Sequence, residues 1–215
     1  MKTIRINSQV GAAQAQTAKV QYPSNVNQPK RPVVMRQLPI FQVLPASAAV
    51  ARTTYNFFAA APQNPPVDGD NYRSPYIKKN MEIIGLGLSL WPQMYVAMTA
   101  AEVALLDRFN DGSSVIWINK SQPVIAANSE IGPVFEQEEG STTGTYIVTV
   151  NNRAPVTLRD LNSGAIDNLV VNDKMDVNVV TTFNQAFGFT HAASGRDCKI
   201  KCILLARPIE EQFVG

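Results

Sequence analysis

One histidine, two cysteines and no acidic residue before Asp68 are the scarcities of this 215-residue chain. A lone histidine, His191, leaves any Ser-His-Asp or Cys-His arrangement a single candidate base. No G-x-S-x-G or cysteine-centred signature accompanies it in F-G-F-T-H-A-A-S-G. Its neighbours read as a loop before the last strand, so a surface or capping histidine is expected. Cys198 and Cys202 are too few, even with His191, for a structural metal set. On a strand, positions four apart share a face about 13 Å from each other at roughly 3.3 Å per residue, beyond disulfide reach. They read as two buried, unbridged apolar thiols.

Long apolar runs are missing too. None approaches the roughly 18 residues of a membrane-spanning helix. The opening M-K-T-I-R-I-N-S-Q-V-G-A-A-Q-A has basic residues but an interrupted apolar segment, which fails as a secretory signal. A soluble protein made in the cytoplasm is expected. Gly85-Leu86-Gly87 opens like a phosphate loop, but Leu90 stands where the third glycine belongs. Calcium-loop spacing, zinc-finger spacing, an RRM signature and a basic helix are all absent. No cofactor, no metal, no small-molecule substrate and no enzymatic activity are expected.

Charge of one sign is unevenly placed. Lys2, Arg5, Lys19, Lys30, Arg31, Arg36 and Arg52 precede Asp68 with no acid among them, so residues 1–67 carry +7. With a net charge of +2 for the whole chain, the remainder carries −5. Such asymmetry suits a surface that meets anions. Residues 7–32 are rich in Gln, Asn, Ala and Pro and poor in large apolar groups, too poor to offset their ordering entropy by burial. They read as an extended arm, with the folded domain spanning 33–215. Lys2, Arg5, Lys19, Lys30, Arg31 and Arg36 are its candidate contacts with nucleic acid or anionic lipid, made through charge and without reading sequence.

What is plentiful is short, β-rich segments. V-V-M-R-Q-L-P-I-F-Q-V-L-P from Val33 carries an internal proline, the mark of an edge strand or a break between two. R-T-T-Y-N-F-F follows from Arg52, and then a proline-rich surface loop over 62–75 with a D-G turn. From Ile77 a long strand runs to Trp91. In it Ile84, Leu86, Leu88 and Leu90 share one face, while Gly85, Gly87 and Ser89 on the other let a second backbone or ring lie close. Further strands are expected from Ser114, Thr145, Pro155, Asn168, Met175 and Asp197, each bounded by Asn, Asp, Gly, Ser or Pro. Eight to ten strands without alternating helices predict an all-β, antiparallel two-sheet sandwich.

One helix interrupts them. Thr99 and Glu102 form a T-x-x-E capping box, Ala100, Val103, Ala104, Leu106 and Phe109 supply an apolar stripe, and Asp111-Gly112 stops it. The densest acidic group, E-Q-E-E from Glu136, lies in a stretch flanked by Gly, Ser and Thr and reads as a solvated hairpin tip. A glycosidase would instead need two of these acids facing each other across a sugar.

These segments together resemble the jelly-roll capsid proteins of icosahedral, tailless bacteriophages, especially those with an internal membrane. The resemblance rests on R-T-T-Y-N-F-F from Arg52 and N-M-E-I-I-G-L-G-L-S-L from Asn80. It continues through the helix A-E-V-A-L-L-D-R-F-N-D-G from Ala101, a V-I-W-I-N-K strand, and C-K-I-K-C-I-L-L-A-R-P from Cys198. It spans Thr53 to Pro208. It implies eight strands in two facing four-stranded sheets, a non-catalytic role in the virion, and assembly with other capsid subunits through strand edges, loops and arms. The chain is too short for a double jelly roll, and its arm lacks the dense Arg/Lys run of genome-packaging coats, so a single jelly roll is the version implied. Major, minor and vertex roles stay open. Asp107 and Arg108, on the polar side of the helix, are candidate subunit contacts. The alternative is a carbohydrate-binding or tail-associated sandwich, for which Trp91, Tyr95 and Trp117 supply stacking rings. Trp117, sharing a strand face with Val115 and Asn119, is expected in the core.

Overall fold

The computed structural model describes residues 37–58, 80–161, 166–172 and 175–209. The expected arm with its cations, Arg36 included, and the proline-rich loop lie outside these residues. The chain divides into two units, Met1–Val34 and Met35–Gly215, and all described residues belong to the second.

Its elements are β1 (Leu38–Pro45), a 3-10 turn (Ala48–Val50), β2 (Arg52–Phe57), β3 (Met81–Trp91), β4 (Met94–Thr99) and α1 (Ala100–Asn110). Then come β5 (Gly112–Ile118), β6 (Ser121–Ala127), α2 (Asn128–Ile131), β7 (Val134–Glu139), β8 (Thr145–Asn151), β9 (Val156–Thr157) and α3 (Leu158–Leu161). The described chain closes with β10 (Leu169–Val171), β11 (Val177–Phe187), β12 (Thr190–His191), β13 (Arg196–Asp197) and β14 (Lys199–Pro208). Strands dominate and, among the described residues, every strand pairing is antiparallel. No helix among the described residues is long and apolar enough to cross a membrane.

Two larger sheets share one hydrophobic core. One runs β1-β14-β3-β10, with β9 also on β3; the other runs β2-β11-β5-β6. The proline rule explains which strands lie outermost. β1 carries Pro39 and β6 carries Pro123, and each is an edge strand, where a missing N–H costs no ladder bond. β3 is interior and alternates as its sequence requires: Leu86, Leu88 and Leu90 are fully buried. Each such leucine contributes about 1.5–3 kcal/mol by leaving water. A bulge opposite Leu205 and Ala206 breaks the alternation, so Ile83 joins the main core in the place the sequence pattern gave to Ile84. On the outer face, a Cβ at Gly85 would lie 2.9 Å from the Val156 carbonyl oxygen, and one at Gly87 would lie 3.0 Å from the Pro155 Cα. The close approach that these glycines predict is the passage of the β9 segment.

The second sheet corrects one expectation. In β5 the buried residues are Ser114 and Ile116, so Trp117 lies half-buried on the outer face with Val115, beside exposed Ile125 of β6. Ser114 is held inside by hydrogen bonds. Its hydroxyl donates to the Asn128 side-chain oxygen at 2.8 Å and lies 2.9 Å from the Thr181 hydroxyl on the neighbouring β11, all three being fully buried. Without such partners a buried hydroxyl would be costly.

Candidate functional site

Among the described connections, those that follow β1, β3, β6 and β11 are the elaborate ones. They hold the 3-10 turn; β4 and α1; α2, β7, β8, β9 and α3; and the β12-β13 hairpin. Hydrogen bonds tie them together. β4 pairs with β8, which pairs with β7, making a third sheet. The Val150 N–H donates to the Gln93 carbonyl, the Phe189 N–H to the Ala46 carbonyl, and the Ala48 N–H to the Thr190 hydroxyl. By contrast, β5 and β6 meet through a tight turn in which Asn119 takes a left-handed φ of 54°.

The helix that interrupts the strands sits among these connections. Thr99 caps α1, and the box closes in both directions: the Glu102 N–H donates to Thr99 Oγ1, and the Thr99 N–H donates to Glu102 Oε2 at 2.8 Å. Leu106 and Phe109 are buried and Val103 is partly so, whereas Ala100 and Ala104 are exposed. Phe109 makes edge or tilted ring contacts with Phe135, Phe183 and Phe187 at 5.2–6.2 Å. The helix therefore plugs the core with an aromatic cluster. Of the two residues expected on its polar side, Asp107 is exposed and Arg108 is half-buried.

The buried face of α1 carries a charge that its sequence pattern had assigned only to capping. Glu102 is 9% exposed, and its second oxygen, Oε1, accepts the Ala192 N–H at 2.9 Å. One carboxylate thus closes its own helix and clamps the β12-β13 hairpin. Burial alone would push its pKa up. The N–H groups of Ala192 and Thr99, the Thr99 hydroxyl and the neighbouring His191 outweigh burial and hold it below the ordinary carboxyl value.

His191 is in that hairpin and is 2% exposed, so the expectation of a surface histidine is corrected. Its ring lies edge-on to Tyr95 at 5.4 Å, and its Nδ1 is 2.7 Å from the Ser194 hydroxyl. Nε2 is buried and has no hydrogen-bond partner among the described residues. Cys198 lies close by in sequence, but burial pushes its thiol far above the ordinary range, with the Asp197 charge adding to that. A thiol held protonated is a poor nucleophile at neutral pH. The cluster is packing that fastens a hairpin. Cys202 is likewise buried and free, its thiol pushed up by burial. Tyr95 is 1% exposed, so it has no face to offer a ligand. Among the described residues no group of three or more His, Cys, Asp or Glu is placed to hold a metal ion.

Glu136, Glu138 and Glu139 lie on β7, an edge strand of the third sheet, and all three are exposed. The sequence suggested a hairpin tip; the acids are in the strand leading to it. Carboxylates along an open edge deter further pairing, and they do not face each other across a cleft.

Trp91 differs from the other two candidate stacking rings. It is 41% exposed at the end of β3, directly opposite Lys199 of β14. With Pro92, Arg196, Asp197 and Lys199 it lines an open depression of about 330 Å³. The sequence offered Trp91 but not its neighbours, because only the β3-β14 pairing brings positions 91 and 196–199 together. Met94 and Val96 of β4 are also exposed, at 58% and 48%. Comparison with protein-family models finds no match for this chain, and comparison with curated proteins finds none either.

Proposed function

We propose that the domain is a single jelly roll and that the chain is a structural subunit of a virus-like shell. The observation that carries the fold is the pairing of its eight principal strands. Taken in chain order β1, β2, β3, β5, β6, β10, β11, β14, the first pairs with the eighth, the second with the seventh, the third with the sixth and the fourth with the fifth. That is one long antiparallel hairpin. The remaining two ladders, β14 with β3 and β11 with β5, arise where the hairpin is rolled so that successive pairs alternate between two sheets. Viral capsid domains, lectin domains and cupins are built on jelly rolls of this kind.

Assembly is favoured by what the connections expose. Trp91, Met94 and Val96 present large apolar side chains to water close together along the β3-β4 segment, a cost that a partner surface removes. Asp107 and Arg108 add charge to the outside of α1 for contacts between subunits. The cations of the arm, Lys2, Arg5, Lys19, Lys30, Arg31 and Arg36, suit a role against nucleic acid or anionic lipid. The protein would work in the virion after synthesis in a host cytoplasm. The test is the mass of the assembly by light scattering, with negative-stain images. The full chain is expected to form closed particles, and a chain lacking residues 1–32 is expected to stay folded but stop at small oligomers. A full chain that remains monomeric at high concentration overturns the shell role.

A second reading, a carbohydrate-binding sandwich, is favoured by one observation: a solvent-facing indole set among charged groups in a depression. Binding of glycans without self-assembly would select it.

A further inference from the structure

We propose that the outer face of the β2-β11-β5-β6 sheet is a self-association surface, on which a second copy of this chain docks face to face about a two-fold axis. The inference does not rest on the shell role, since such a pair can exist without closed particles. The surface is separate from the Trp91, Met94 and Val96 side chains of β3 and β4.

The first observation is a lack of charge. β5, β6 and β11 contain no Asp, Glu, Lys or Arg on either face. The other large sheet shows the ordinary condition, with Glu82 on β3 and Lys201 and Arg207 on β14. A sheet face left in water is usually polar, and an edge strand such as β6 is usually guarded by charge. In their place stands an apolar row. Val180 of β11 is opposite Val115 of β5, and Val115 is opposite Ile125 of β6, which is 58% exposed. Trp117 and Pro123 lie beside that row, both half-buried.

The same lack narrows the occupant. Nucleic acid or an anionic membrane needs cations, which this face does not offer. A second copy meets it as like on like, with no charge to strip of water across the middle of the contact. Four strands about 4.8 Å apart, each about seven residues long at roughly 3.3 Å per residue, cover roughly 400 Å² when flat. Side chains make the accessible area larger, so two copies together bury on the order of 1,000 Å², the least that a specific interface needs.

Charge at one end of the sheet sets the orientation. Lys120 in the β5-β6 turn and Asp176, the residue before β11, are both exposed and make no ion pair among the described residues. They stand at the same end: the Asn119 N–H donates to the Asp176 carbonyl at 2.7 Å, and Asn119 Oδ1 accepts the Asp176 N–H at 3.1 Å. A two-fold axis along the strands, between β11 and β5, keeps that end over itself and reverses the strand order. β5 of one copy then crosses β11 of the other, and Lys120 faces Asp176 of the partner subunit twice in each dimer.

The test is sedimentation of the full chain over a range of concentrations, down to those at which any assembly has dissociated. A dimer is expected as the first species above the monomer. Ile125→Lys puts a charge on the face at an exposed position and is expected to weaken dimerisation at least tenfold, with circular dichroism unchanged. Lys120→Glu and Asp176→Lys each set like charges together and are each expected to weaken it about fivefold. An equimolar mixture of those two variants makes both pairs opposite again and is expected to return to wild-type affinity, a recovery that an effect within one chain does not give. If Ile125→Lys fails to fold, the mixture decides. A chain monomeric at every concentration, or dimers that Ile125→Lys leaves at full strength, overturn the proposal. So does a mixture no stronger than its components. Closed particles that Ile125→Lys leaves intact count for the shell role and against this surface, and dimers that never close into particles count the other way.

Discussion

Removing the Glu102 carboxylate tests how the elaborated connections are held. Three hydrogen bonds end on it, from the Thr99 N–H, the Thr99 hydroxyl and the Ala192 N–H, at 2.8, 2.9 and 2.9 Å. The first two belong to the helix cap, and losing a cap costs about 1 kcal/mol. The third joins positions 102 and 192 and is assisted by charge, which is worth roughly 1.5–3 kcal/mol where the partner is dry. Ala192 is exposed, so water recovers part of that. Glu102→Ala should therefore cost about 2–3 kcal/mol, a fall in Tm of roughly 5–10 °C for a domain of this size. Glu138→Ala, on an exposed edge, should change stability by less than about 0.5 kcal/mol.

The pH dependence gives a second reading of the same group. The folded pKa of Glu102 is depressed below its ordinary value of 4.5, so the folded state favours the ionised form. Its contribution is complete above about pH 4.5 and is lost as pH falls through the lower, folded value. The stability gap between wild type and Glu102→Gln, measured by urea melts from pH 7 to pH 2.5, should be constant at first and then close below pH 4.5. A gap that stays constant to pH 2.5, or one of less than about 0.5 kcal/mol at pH 7, refutes the clamp.

Ser114→Ala strands the Asn128 oxygen and the Thr181 hydroxyl in a dry site and should cost about 1–3 kcal/mol in urea melts; with Asn128→Ala the two losses should fall short of their sum, because the residues share a bond. Gly188→Ala should destabilise by more than about 1 kcal/mol, since φ there is 144° and a Cβ would sit 2.8 Å from the Ala51 Cα. Cys198 and Cys202, buried and held protonated, should resist a thiol reagent at pH 8 until urea unfolds the chain; rapid labelling of either in the native state refutes that burial. Burial, opposed by the Arg52 charge, raises Tyr55 to about 12, so folding keeps its proton. The stability this gives is present below pH 10 and lost as pH rises from 10 towards 12, so alkaline melts should show a smaller loss in Tyr55→Phe than in wild type, the remainder coming from the buried thiols.

The strands that form the two larger sheets, β6 excepted, were legible because each side-chain pattern reports its own environment. Leu86, Leu88 and Leu90 announce a buried face, and Gly85 and Gly87 announce something lying close outside it. β8 coincides with the run from Thr145. β4, β6 and β7 were not legible: SQPVIAA and VFEQEE lack the periodicity of a half-buried strand, since an edge strand with a proline or a row of acids needs little of it. Trp117 was misplaced because its face of β5 is set by whether Ser114 can be satisfied inside. The partners that satisfy it, Thr181 and Asn128, lie on other elements. The second role of Glu102 was hidden for the same reason, since its capping partner is local and its clamping partner is 90 residues away.

The candidate site inherits its geometry from the core. Cys202 and Leu204 of β14 point inward, where they pack with Leu86 and Leu88 of β3. A slip of one residue between these strands would turn that whole apolar set towards water. Three or four buried side chains at about 1.5–3 kcal/mol each forbid the slip. The register they fix is the one that sets Lys199 opposite Trp91 and starts β14 three residues after Arg196. Substitutions in the interior of β14 should therefore leave the depression at its end unchanged in every molecule that folds. Cys202→Ser, which strands a hydroxyl in the core, is expected to weaken glycan binding only in proportion to the fraction of chain it unfolds, because the register has no second state to adopt.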